Sequence, residues 1–191
     1  EHIKTRIKSA ESIVKKLKND GCEVSIDNMV EHLNDIAGIR IICSFMSDIY
    51  PIADMIARQA DITVLHVKDY IKYPKANGYK SYHMVVTIPV YLSEGKRDTK
   101  VEIQIRTIAM DFWASLEHKI AYKFEGKAPD YLERELKSCA DMVDMLDMKM
   151  FSLNQAIMAV EEEERRREEE KRREREKAER KQEELAGNGP T

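Results

Sequence analysis

The sequence predicts an α+β fold: a mixed β-sheet of about five strands flanked by helices, followed by a long C-terminal helix. Three observations carry this. Four β-rich runs bounded by turn residues are legible directly, at 36–45, 62–69, 82–91 and 100–107. Helical stripes are interspersed among them rather than alternating strictly, which suits a mixed sheet with helices beside it. After Thr107 only helical spacing remains.

Each element has a local reason. Ile3, Ile7, Ala10, Val14 and Leu17 step by four and three, predicting a first helix that stops at Asn19-Asp20-Gly21. Residues 25–34 predict a second, short helix. Ile36 to Phe45 is β-rich and interrupted by Gly38, which would permit close backbone approach. Ser47 is a candidate N-cap for a helix to about Ala60. Between the second and third strands lies YIKYPKANGYK, residues 70–80, a loop marked by Pro74 and Asn77-Gly78. The polar stretch Ser93 to Asp98 predicts the connection between the last two strands. Thr107 could cap a helix through about Lys123, broken by Gly126 to Pro129. A long helix then begins near Tyr131. Its seam, Leu132, Leu136, Cys139, Val143, Leu146, Met150, Leu153, Ile157 and Val160, has heptad spacing and suits packing on the domain or on another subunit. Residues 1–130 thus read as one domain, 131–160 as a packing helix and 161–191 as a charged tail.

The chain has 191 residues, 32 basic and 35 acidic, with a net charge of −3. Residues 161–185 hold 12 Glu and 10 Lys/Arg, so the high charge describes a tail and the rest is balanced. Pairs such as Glu161–Arg165, Glu162–Arg166, Glu168–Arg172 and Glu169–Arg173 predict an exposed single helix, fraying toward Gly187–Pro190. Near-neutral charge argues against a dedicated DNA binder, and an RNA partner finds no support in the sequence. No apolar run approaches membrane-spanning length, and no signal peptide opens the chain at Glu1. Three scattered cysteines and no CxxC suggest neither a zinc site nor a disulfide framework, so a reducing, cytoplasmic setting is expected. GxxxxGK[ST], GxGxxG, HExxH and GxSxG are absent.

Four places carry candidate chemistry. In Lys100–Arg106, alternation puts Val101, Ile103 and Ile105 on one face and Glu102, Gln104 and Arg106 on the other; these three could grip a metal-bound phosphate. Asp35, entering an apolar strand, is a second carboxylate; with Glu102 it could hold Mg²⁺, which takes a few carboxylates plus substrate phosphates. The loop region offers Lys68, Lys72, Lys75 and Lys80 for phosphate, with Asn77, Tyr79 and His83; four of the eight tyrosines fall within residues 70–82, as on a base-stacking surface. Lys8, Ser12 and Lys16 step by four along the predicted first helix, with Arg6 beside them. Simpler structural roles compete at each place: cross-strand ion pairs, a turn aspartate, a solvated loop or helix face.

Taken in order, DIAGIR (35–40), KDYI (68–71), PKANGYKSYH (74–83), VEIQIRT (101–107) and MDFWASLEH (110–118) with Tyr122-Lys123 resemble the synthetase domain of the RelA/SpoT alarmone enzymes, over about Arg6 to Lys123. The resemblance implies a nucleotidyltransferase-like synthetase domain alone, acting in the stringent response. It implies a GTP pyrophosphokinase that moves the β,γ-pyrophosphate of ATP to the 3′-hydroxyl of GDP or GTP, releasing AMP and guanosine tetra- or pentaphosphate. By position it makes Asp35 and Glu102 the Mg²⁺-holding and catalytic acids, with Glu102 helping to deprotonate the 3′-hydroxyl. Arg6 and Arg40 sandwich adenine; Lys8, Ser12 and Lys16 contact ATP phosphates. Tyr79 stacks on guanine, with Lys75, Asn77, Lys80, His83 and Gln104 in the acceptor pocket and Lys68 at a position tied to nucleotide preference. Relatives of this size carry further N-terminal helices that help build a homotetramer. A different class of function, a non-catalytic guanine-nucleotide sensor or RNA-binding module on the same fold, would use the same loop without turnover.

Overall fold

The computed structural model describes residues 2–124 and 128–187, with side chains through 178. The expected helix break at Gly126 and the fraying expected beyond Gly187 lie outside the described residues. Two compact units divide the chain, Glu1–Lys149 and Met150–Thr191.

The first unit is built on a five-stranded sheet of order β1-β2-β5-β4-β3. Its strands are β1 (His2–Ile7), β2 (Ala37–Cys43), β3 (Thr63–Asp69), β4 (Tyr82–Leu92) and β5 (Gly95–Thr107). Only β2 and β5 run parallel, so the sheet is mixed. Helices α1 (Ala10–Asn19), α2 (Ile26–His32), α3 (Met46–Ala57) and α4 (Ile108–Lys123) fill the connections, and α5 spans Asp130–Gly187.

The first predicted helix is half strand. His2–Ile7 pairs with β2 in register Lys4↔Arg40 and Arg6↔Gly38, and helix begins only after the Ser9 cap. The segment HIKTRI fits both periods, since β-branched residues alternate with long polar ones. The backbone ladder to β2 decides for strand, and leaves Ile3 and Ile7, 68% and 74% exposed, on an edge. Two smaller corrections follow the same logic. Helix α3 starts after Phe45 rather than at Ser47, because the Asp48 carboxylate accepts from the Phe45 N–H at 3.1 Å. The last hairpin turns at Ser93-Glu94, its arms pairing as far as Leu92↔Gly95. Thr107 caps α4 as expected, accepting from the Met110 N–H at 3.1 Å.

Strand alternation separates the sheet's two faces. One carries the main core, where Met84, Val86, Val101, Ile103 and Ile105 pack with Ile49 and Ala53 of α3. A second cluster joins Tyr79, Trp113, Ala114 and Ala140. In α5 the packed stripe follows the heptad seam only in part beyond Leu136, keeping Val143. It continues through Ala140, Val143, Asp144 and Asp147, while Cys139 and Leu146 are exposed. The partners explain the shift: Asp144 pairs with Lys80, Asp147 accepts from the Thr107 hydroxyl at 2.6 Å, and the Leu136 carbonyl accepts from the Trp113 indole at 2.8 Å.

The second unit is described as helix through Gly187. Among the described residues its ion pairs are Glu163–Arg167 and Arg172–Glu176, both at i,i+4, in place of the four pairs read from the sequence.

Candidate active site

The face of the sheet opposite the main core is charged across all five strands. Register aligns Lys4 with Arg40, Arg6 with Gly38, Gly38 with Glu102, Arg40 with Gln104, Gln104 with His83, and His83 with Lys68. Residues directly opposite in neighbouring strands share a face. Thus Arg6, Arg40, Lys68, His83, Glu102 and Gln104, six of the residues singled out in the sequence, lie side by side for a purely topological reason.

Three adjoining cavities open on this face. One of about 280 Å³ is lined by Arg6, Asp35, Gly38, Arg40, Glu102 and Gln104, among others. A second, about 230 Å³, includes Lys16, Asp35, Lys68, Lys75, His83 and Glu102. A third, about 590 Å³, includes Arg6, Arg40, Lys75, Asn77, Tyr79 and Gln104. Asp35 and Glu102 border the first two, so the two carboxylates sit where the cavities meet. Gly38 forms part of the floor. A Cβ there would lie 3.8–3.9 Å from neighbouring backbone, so the glycine leaves the cleft open rather than avoiding a clash.

The two acids are held differently. Lys8 donates to one Asp35 oxygen at 2.6 Å and Lys16 to the other at 2.8 Å. Burial alone would raise the Asp35 pKa, but these two ammonium groups outweigh it and hold it below its ordinary value. Lys8 follows β1 and Lys16 lies on α1, so they reach one carboxylate from separate elements. Glu102 accepts from Gln104 Nε2 at 2.9 Å and lies 3.2 Å from His83 Nδ1. Burial opposes its ionisation, yet His83 and Gln104 prevail and its pKa is also lowered. With its proton on Nδ1, His83 donates to Glu102 and accepts from the Tyr79 hydroxyl at 2.8 Å.

Tyr79 is only 9% exposed. Its ring meets Tyr70, His83 and Trp113, and the Lys75 ammonium sits 4.8 Å from its centroid. A base stacking on this ring would take the place of Lys75. Asn77 accepts from the Tyr79 N–H at 3.1 Å, an Asx turn that sets the loop. Lys80 points the other way, to Asp144 of α5, and Ser12 is engaged with the Ser9 hydroxyl at 2.9 Å; neither lines these cavities.

Sequence reading left some cleft residues without a role. Lys4 lines the first cavity; its alternation with Arg6 was a usable signal once β1 is a strand. Arg106, read as facing the same way as Glu102, proves to be 5% exposed and hydrogen-bonded to Ser81, Gln104, Tyr79 and Asp111. Asp111 had no role in the sequence reading: Arg106 is only five residues before it, but Arg40, its other partner, comes from a strand about seventy residues back.

The donor set fits a hard divalent cation. Two carboxylates, Asp35 in the connection before β2 and Glu102 on β5, face a common cleft. Among the described residues no cluster of three or more His, Cys, Asp or Glu could share an ion, so phosphate and water oxygens would have to complete the shell.

The model of the region found in RelA/SpoT proteins matches residues 5–127. A GTP pyrophosphokinase of Bacillus subtilis, YwaC, is 51% identical over 157 residues, covering 82% of this chain and 75% of that protein. The crystal structure of small alarmone synthetase 2 from the same organism superposes with a TM-score of 0.76 at 50% identity, covering 82% of this chain and 81% of its own. Small alarmone synthetase 1 from B. subtilis, bound to its product pppGpp, superposes with a TM-score of 0.77 at 36% identity, covering 82% and 79%.

Proposed function

Because this chain belongs to the RelA/SpoT family, we propose that it is a GTP pyrophosphokinase, a small alarmone synthetase that transfers pyrophosphate from ATP to the 3′-hydroxyl of GDP or GTP. Its products are AMP and guanosine tetra- or pentaphosphate. The observation that carries the reading is the meeting of Asp35 and Glu102 at the junction of cavities that also hold Arg6, Arg40, Lys75 and Tyr79.

Pyrophosphoryl transfer asks mainly for positioning and charge neutralisation. Arg6 and Arg40 face the first cavity, where planar guanidiniums suit adenine. Lys8 and Lys16, held now by Asp35, turn to the triphosphate as it arrives. Mg²⁺, held by Asp35 and Glu102, supplies further neutralisation of the phosphate charge. The acceptor lies toward Tyr79, with Lys75, Asn77 and His83 around it. Lys68 borders the same cleft. Lys80 and Ser12 act at most indirectly.

Glu102 orients the attacking hydroxyl. Its lowered pKa keeps it ionised and so able to accept a hydrogen bond, and makes it a weak base, so proton transfer comes late, as a loose phosphoryl transition state allows. Cysteines that form no disulfide among the described residues suit a reducing cytoplasm, and no described helix is long and apolar enough to cross a membrane. Exposed Ile26 and Val30 on α2 support a subunit contact and a homotetramer.

The test mixes the purified chain with ATP, GDP and Mg²⁺ and resolves nucleotides by anion exchange. AMP should appear in step with guanosine tetraphosphate and only with GDP. In Glu102→Gln, turnover should fall about 10²–10⁴-fold while nucleotide binding persists. Nucleotides bound but unchanged by the wild-type chain would favour a sensor.

A further inference from the structure

We propose that Asp111 is a positioning residue that ties the donor pocket to the acceptor pocket by holding Arg40 and Arg106 with one carboxylate. The inference rests on the pyrophosphokinase reading above, which assigns Arg40 to ATP and the Tyr79 loop to the guanine nucleotide.

Asp111 sits in the first turn of α4 and is 8% exposed. Its Oδ1 forms an ion pair with Arg40 Nη1 at 3.1 Å and accepts a hydrogen bond from Arg106 Nη1 at 3.2 Å; Lys4 Nζ lies 3.8 Å from its Oδ2. Two guanidiniums drawn to one oxygen repel each other. For Arg40, burial is the largest influence against its charge and Arg106 the next, while Asp111 favours the charge. Take away the carboxylate and nothing on this side holds the two arginines together.

The arginines differ in how else they are anchored. Arg106 also donates from Nη2 to the Tyr79 hydroxyl at 2.6 Å and to Gln104 Oε1 at 2.9 Å, and from Nε to the Ser81 hydroxyl at 3.2 Å. It therefore fixes Tyr79 and Gln104, both on the acceptor side. Arg40 is poorer in partners: its Nε is buried with no hydrogen bond at all. Asp111 is thus the group that lends Arg40 the rigidity Arg106 already has. Its own place is set from the backbone, because Thr107 caps α4 four residues earlier and donates to Asp147 of α5.

An asparagine would keep the size of Asp111 and one acceptor oxygen but lose the negative charge that both guanidiniums share. Losing one charge-assisted contact to each arginine predicts that the KM values for ATP and for GDP both rise, each by about tenfold. Turnover at saturation should stay within about threefold, because neither arginine touches the attacking hydroxyl in the reading above. Asp111→Glu, which retains the charge, should recover part of both losses. A residue that merely stabilised the fold would lower the melting temperature without this paired shift.

The experiment measures both KM values, kcat and melting temperature for wild type, Asp111→Asn and Asp111→Glu. A rise in only one KM, or two wild-type KM values beside a lowered melting temperature, overturns the proposal. If Asp111→Asn does not fold, the wild-type protein still decides. A non-hydrolysable ATP analogue should bind more tightly with GDP present, and GDP more tightly with the analogue, by the same factor. Independent binding overturns the proposal. Failure of the wild-type chain to make guanosine tetraphosphate is a separate result that removes the functional reading itself.

Discussion

Gly78→Ala probes how the acceptor loop is seated. Gly78 has φ +89°, and a Cβ there would lie 2.5 Å from Ala140 Cβ and 3.1 Å from Lys137 Cδ, both on α5. The lysine carbon can swing aside; the alanine Cβ is fixed to the helix backbone. Placing a non-glycine residue at positive φ costs roughly 1–2 kcal/mol. Relieving the contact means moving the loop or α5 by about 1 Å, in the range of overpacking costs of about 1–3 kcal/mol. Together, about 2–5 kcal/mol should lower the melting temperature by roughly 4–20 °C at 2–4 °C per kcal/mol for a chain of this size. If the loop lifts instead, part of that loss becomes a displaced Tyr79, one residue away, and a raised KM for GDP with ATP little changed. Adding Ala140→Gly should relieve the contact but not the strained φ, so recovery should be partial. Thermal melts and initial rates on the three variants are sufficient. A Gly78→Ala protein melting within 1 °C of wild type, with an unchanged KM for GDP, would refute the claim that this loop is seated on α5.

Two further perturbations separate fold from site. Gly38→Val should fill the cleft floor and weaken ATP binding severalfold while leaving the melting temperature nearly unchanged, because the nearest atoms stand 3.8–3.9 Å away; calorimetric titration with a non-hydrolysable ATP analogue checks it. Asp35 has a folded-state pKa below its ordinary value of 3.8, so it stabilises the fold above that pH, and the contribution is lost as pH falls through the lower, folded value. The melting-temperature gap between wild type and Asp35→Asn should therefore be widest near pH 7 and narrow below about pH 4; a gap independent of pH contradicts the ion pairs with Lys8 and Lys16.

Much of this was legible in the sequence because period-two alternation survives folding. Glu102, Gln104 and Arg106 were placed on one face from spacing alone, and the sheet keeps them there. The Asn77-Gly78 turn and the Thr107 cap were equally readable, since each depends on chemistry within four residues. The first strand was not. HIKTRI serves either period, and only pairing with β2, more than thirty residues on, selects one. The partner of Lys80 was hidden for the same kind of reason: it sits among the loop residues read as a binding surface, yet its ammonium pairs with Asp144, 64 positions away. Asp111 was invisible because a carboxylate gains meaning from its partners, and Arg40, which it shares with nearby Arg106, arrives only through tertiary contact.

The two-faced sheet bears on how such a sequence could diverge. Along β5, Val101, Ile103 and Ile105 build the core while Glu102, Gln104 and Arg106 face the cleft. Point changes at alternate positions are thus sorted by consequence, stability for one set and activity for the other, and each trait can drift with little toll on its neighbour. Insertions and deletions enjoy no such sorting. One residue added within 101–106 would exchange the sets, burying two charges and exposing the core at a stroke. Length variation among relatives should accordingly gather at the Ser93-Glu94 hairpin tip, where an added residue leaves the phase of β5 untouched.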